Sequence, residues 1–157
     1  MQDTVTSLAS RKSLIAHLDA RFANADVERA LGGFALLMVS LDAFNALRRD
    51  HGDAAAEEML RAAAARMIDT LRDSDFLARM DGGQFMVVIP QVSDHATAAR
   101  VAEKLQAAFA EPAVLASTPG HQVSLAAHIG IGLFPADADT REVLIQRAFE
   151  DLELTDG

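Results

Sequence analysis

The chain reads as an α+β domain: a central, mostly antiparallel sheet of about five strands flanked by helices. Three observations predict it. An apolar run, Phe34-Ala35-Leu36-Leu37-Met38-Val39-Ser40-Leu41, has the composition of a buried central strand. Two β-prone runs flank the turn Asp81-Gly82-Gly83, and Asp and Gly tolerate the positive φ that tight hairpins need. Between and around these strands lie segments with apolar residues at helical spacing.

Taken in order, Ser10 is placed to cap a helix carrying Leu14, Ile15, Leu18 and Phe22 on one face. Gly32-Gly33 opens the central strand. Asp53 begins a long Ala-rich helix with Met59, Leu60, Ala63, Met67 and Leu71 as its inward stripe. The hairpin strands span roughly 76–80 and 84–90. Ser93 is placed to cap a third helix reaching Ala110, with Ala98, Val101, Ala102, Leu105 and Phe109 facing inward. A strand is expected across 121–134, and a last helix across 140–154. The order β-α-β-β-α-β is the ferredoxin-like arrangement, in which helices pack on an antiparallel sheet.

Composition narrows the function classes. At 157 residues the chain suits one domain with a sound core. Half the residues are hydrophobic and 24% are charged, which is ordinary for a globular chain. A net charge of −9 argues against nucleic-acid backbone binding, which needs a basic footprint. It leaves room for a small nucleotide, since a few arginines suffice there. No run is long enough to span a membrane, and no signal-peptide layout opens the chain. Absence of cysteine excludes disulfides and thiolate metal sites and suits a cytoplasmic location. The five histidines (His17, His51, His95, His121 and His128) share no metal-ligand spacing on any one element, so no metal is expected. Asp42 and Asp81 could approach each other at a strand end and the hairpin tip, but Asp at a turn or helix start also has conformational reasons.

The stretch Ala78-Arg79-Met80-Asp81-Gly82-Gly83-Gln84-Phe85 resembles the signature hairpin of GGDEF domains, the diguanylate cyclase family. Other landmarks agree in order and spacing. Asp3 through Arg11 resembles the family's opening Asp-x-Leu-Thr-Gly-Leu-x-Asn-Arg, and Ser40-Leu41-Asp42-Ala43-Phe44-Asn45 stands where Asp-x-Asp-x-Phe-Lys is usual. Ser124–Gly132 resembles the strand ending in Ser-Ile-Gly-Ile/Val-Ala. Ala148–Leu152 stands where Ala-Asp-x-Ala-Leu is usual. The resemblance implies a nucleotide-cyclase palm fold.

It also implies a degenerate domain. Joining two GTP molecules needs divalent ions held by carboxylates. The family supplies these from the positions that here hold Ser40 and Gly83, and its signature Glu is Gln84, which cannot ionise. The positions that read guanine hold Arg48 and Glu57, and those that contact phosphate hold Asn45 and Asp156. The resemblance therefore implies no turnover and no cofactor. It leaves a regulatory or scaffolding role beside an EAL-type domain in cis or a protein partner, as in tandem proteins of the FimX type from type IV pilus control. The chain reads as one domain, 1–157, of a longer protein. An alternative stays open. Arg72-Asp73-Ser74-Asp75 matches the family's inhibitory Arg-x-x-Asp, so Arg72 and Asp75 could bind cyclic di-GMP, with Arg79 and Arg100 as helpers, or GTP could occupy the eroded pocket. The same residues also suit a helix end and a turn.

Overall fold

The structure, a computed structural model, describes residues 5–6 and 8–156, with the side chains of 155 and 156 excepted; Asp3, Thr4, Ser7 and the Asp156 side chain thus lie outside the described residues. Helix α1 (Arg11–Ala23) begins where Ser10 accepts a hydrogen bond from the Ser13 N–H, and short α2 (Ala25–Ala30) follows it. Strand β1 (Phe34–Leu41) leads to α3 (Phe44–Thr70) and then to the hairpin β2 (Phe76–Arg79) and β3 (Gln84–Pro90). Next come α4 (His95–Ala108), the short strands β4 (Ala113–Val114) and β5 (Gln122–Val123), β6 (Ala127–Phe134) and α5 (Arg141–Asp156).

The central sheet runs β2-β3-β1-β6, every neighbour antiparallel. It has four strands rather than about five; beyond β2 a single bridge, Ala9 to Ala78, is all that continues it among the described residues. The expected strand over 121–134 is broken, because Gln122–Val123 turn aside to pair with Ala113–Val114 as a separate ribbon. The long helix starts earlier than Asp53. It begins at Phe44 and kinks at Gly52, whose φ of +88° is outside helical space. Helix α4 is capped by Asp94, whose carboxylate accepts from the Thr97 N–H at 2.8 Å, and not by Ser93.

Alternation along β1 sorts the core into two layers. Ala35, Leu37 and Val39 face α3 and α4 with Val87, Met59 and Leu105, while Phe34, Leu36 and Met38 face α1 and α5 with Leu14, Leu18 and Leu144. The second layer is thin because α5 lies directly on β6. A Cβ at Gly130 would sit 2.1 Å from the Ala148 carbonyl oxygen, so only glycine permits that approach. The sheet is therefore covered on both faces, and the C-terminal end of β1 and the β2–β3 tip are left facing outward together.

Candidate functional site

That end of the sheet carries a cleft of about 280 Å³ lined by Ser40, Leu41, Phe44, Asn45 and the whole tip Asp81-Gly82-Gly83-Gln84. Register explains the convergence: Ser40 pairs with Gln84 on one side and His128 on the other, so the three share a face. The tip is held firmly. The Met80 N–H donates to the Gln84 carbonyl at 2.9 Å, and the Gly83 carbonyl accepts from the Leu41 N–H at 2.9 Å. Arg79 turns back on its own loop, donating to the carbonyls of Met80 (2.6 Å) and Gly82 (3.0 Å). Phe85, the last signature residue, is fully buried beneath.

The chemistry of the cleft departs from what a divalent ion needs. Ser40 offers a hydroxyl, Gln84 an amide, and Gly83 nothing. A Cβ built on Gly83 would stand 2.5 Å from Cβ and 2.7 Å from Cγ of Phe44, so a side chain there would require the strand or the ring to shift. Asp81 is the one carboxylate lining the cleft, and its Oδ2 is bound to Arg11 Nη1 at 2.9 Å across the surface. Asp42 is engaged elsewhere, with His128 Nδ1 at 2.5 Å. The donor set does not fit divalent ions carrying a triphosphate, and no group of three or more His, Asp or Glu able to hold a metal occurs among the described residues.

Other sequence candidates lie away from the cleft walls. Arg48 is exposed, its guanidinium 5.4 Å over the Phe44 ring, and Glu57 is exposed on α3 beyond the Gly52 kink. Arg72 and Asp75 do meet, but as parts of one turn. The Asp75 carboxylate accepts from the Arg72 backbone N–H at 2.8 Å, the Asp75 N–H donates back to the Arg72 carbonyl at 3.0 Å, and the guanidinium stands 3.8 Å off. The Asp75 side chain is only 4% exposed, against 69% for Arg72. Arg79 donates to the carbonyls of the hairpin tip, and Arg100 is exposed on α4.

Three contributors escaped the sequence reading: Phe44 as the plug over Gly83, Arg11 as the partner of Asp81, and Arg79 as the lock of the tip. The first two act across 39 and 70 positions, beyond any periodic signal.

Residues 1–155 match the family model described as "Diguanylate cyclase, GGDEF domain". The chain belongs to the GGDEF family. Diguanylate cyclase TpbB of Pseudomonas aeruginosa is 32% identical over 146 residues, covering 93% of this chain and 33% of TpbB. The solved GGDEF domain of TpbB (YfiN) superposes with a TM-score of 0.89 at 30% identity, covering 99% of this chain and 88% of that one. MucR of the same organism, a bifunctional diguanylate cyclase/cyclic di-GMP phosphodiesterase, is 32% identical over 150 residues, 94% of this chain and 21% of MucR. The FimX GGDEF domain from Pseudomonas aeruginosa, at 20% identity and a TM-score of 0.86, covering 98% of this chain and 92% of that one, shares the fold. The chain thus spans about a third or less of these full-length relatives. Among the described residues, no helix is long and apolar enough to cross a membrane.

Proposed function

We propose that this is a degenerate GGDEF domain that makes no cyclic di-GMP and serves cyclic di-GMP signalling in the cytoplasm as a regulatory or scaffolding module. The observation that carries the reading is the donor set of the cleft: Ser40 offers a hydroxyl, Gly83 no side chain and Gln84 an amide, and Asp81, the one carboxylate lining it, is paired with Arg11. Nothing there would hold the ions that offset charge on a reacting triphosphate. Losing such stabilisation costs several kcal/mol of barrier, roughly a thousandfold or more in rate.

Its partner would be an adjacent EAL-type domain or a separate protein. The names of relatives support that pairing, since MucR combines cyclase and phosphodiesterase in one chain and an EAL/GGDEF domain protein from M. capsulatus is among the structural neighbours. The test is incubation of the domain with GTP and magnesium or manganese, followed by chromatography. Unchanged substrate is expected; steady cyclic di-GMP formation by clean protein would overturn the reading. GTP itself should bind weakly, since Arg48 and Glu57 do not line the cleft and the net charge of −9 gives a triphosphate no general attraction. A micromolar dissociation constant in calorimetry would refute that.

A further inference from the structure

The two edges of the central sheet are finished differently. At β2 the Arg79 N–H donates to the Ala9 carbonyl at 2.9 Å, so the backbone at Ala9 lies against that side. Beyond β6 no further strand follows among the described residues. This edge is eight residues long, contains no Lys, Arg, Asp or Glu, and is apolar apart from His128. Long, uncharged edges of this kind recruit further strands. Hydrogen bonding shows which groups the edge offers. The N–H groups of Ile131 and Leu133 bond to side chains and not to β1, so these residues, with Ile129 at the same period, aim their backbone groups away from the sheet. Two carboxylates sit on them. Asp151 of α5 accepts the Ile131 N–H at 2.8 Å, and Asp137, in the turn after β6, accepts the Leu133 N–H at 3.0 Å. Asp137 donates its own N–H to the Leu133 carbonyl at 2.9 Å, and His95 Nε2 of α4 lies 3.1 Å from its Oδ2.

We propose that the outer edge of β6 is a strand-pairing interface held shut by Asp137 and Asp151, and that the partner it fits is a second copy of this chain. Self-complementarity selects that partner. The outward backbone groups at 129, 131 and 133 are spaced evenly about Ile131. Two copies of β6 can therefore meet antiparallel around a twofold axis, with Ile131 opposite Ile131 and Ile129 opposite Leu133. Pairing in this register would join two four-stranded sheets into one. A groove of about 340 Å³ opens beside the edge, lined by Ile131, Asp137, Asp151 and Leu154 among others. Leu154 is 81% exposed, so each copy would bring an apolar side chain to the contact. Asp137 and Asp151 oppose that contact in two ways. Each occupies an N–H that a new ladder would need, and a twofold axis would bring both carboxylates of one copy towards both of the other. Neither residue lines the signature cleft, so the inference stands independently of whether turnover is lost.

The test is the solution mass of the variant Asp137→Ala/Asp151→Ala beside that of the wild type, by light scattering over a concentration series. The variant should reach about twice the wild-type mass as concentration rises, while the wild type keeps its own. Asp151→Ala alone leaves the Asp137 turn intact and serves if circular dichroism shows the double variant unfolded; it should associate in the same way at higher concentration. Amide hydrogen exchange locates the contact. In dilute variant, the N–H groups that have lost their carboxylate should exchange roughly three- to tenfold faster than in the wild type, the range one hydrogen bond spans. They should regain protection as the variant associates, while the amides of β2 hold still. For whichever variant folds, a mass equal to the wild type's throughout, or association that leaves those amides exchanging fast, would overturn the proposal.

Discussion

On the function proposed above, the hairpin tip and the turn preceding its first strand depart from a ligand-binding state by opposite routes. At Asp81–Gln84 the backbone shape is held by the Met80–Gln84 and Gly83–Leu41 hydrogen bonds while the side chains that would hold ions are gone. At Arg72–Asp75 both side chains are present, yet the carboxylate is turned inward onto the Arg72 N–H. One region keeps geometry without chemistry, and the other keeps residues without availability. A motif read from sequence reports identity; whether the group is free is decided by what folds over it.

The strongest way to break this comparison is to put chemistry back at the tip. Gly83→Asp should destabilise the domain by about 1–3 kcal/mol, because the new Cβ collides with Phe44 and the strand or the ring must shift. Urea unfolding reads the loss directly. Ser40→Asp combined with Gly83→Asp should still yield no cyclic di-GMP, since Arg48 and Asn45 remain as they are. Product from the double variant would mean that carboxylates alone were missing.

Most of the fold was legible in the sequence because its signals are local. The β1 run, the helical stripes of α1 and α4 and the Asp-Gly-Gly turn each declare themselves within a few residues. What escaped depends on distant partners or on exceptions to period. The first segment of α3 was hidden because Gly52 interrupts the helix and Asp50-His51-Gly52-Asp53 reads as a loop. The expected strand across 121–134 was split because two-residue pairing with Ala113–Val114 has no sequence period of its own. The lost carboxylates at the cleft were visible as residue types, but the plug of Phe44 and the inward use of Asp75 needed coordinates.

At the second region, Asp75→Ala should cost about 1–2 kcal/mol, as the Arg72 N–H loses a largely buried acceptor. Asp75→Asn, which keeps an acceptor oxygen, should recover most of it. Equal losses in both variants would show that charge, not the turn hydrogen bond, matters there.

A smaller, pH-gated effect should appear beside the same turn. The His17 ring stacks on Phe76, the first residue of β2, at 4.1 Å. Burial, and then the neighbouring Arg21 guanidinium, hold its pKa below the ordinary 6.5. The unfolded chain therefore binds the proton more readily than the folded one. This contribution is full above about pH 6.5 and is lost as pH falls from there through the folded value. Thermal melts between neutral and mildly acidic pH should show a decline that His17→Phe flattens; an identical decline in that variant would exclude His17.

The smallest stability effect should come from Arg72→Ala, and it sharpens the comparison most. Its guanidinium is mostly exposed and lies 3.8 Å from Asp75, so its loss should change stability by less than about 0.5 kcal/mol. Were the turn instead a working cyclic di-GMP site, the same variant would lose a bidentate guanine contact of about 1–3 kcal/mol, a roughly ten- to hundredfold drop in affinity. The two readings thus separate on ligand binding even though both predict an intact fold. A cyclic dinucleotide presents two guanines and two phosphates, and one exposed guanidinium beside an inward-turned carboxylate meets few of them. Titration of the wild-type domain with cyclic di-GMP should therefore show no saturable heat. Saturable binding that disappears in Arg72→Ala would show that Asp75 leaves its turn when ligand arrives, and the contrast between the two regions would fall.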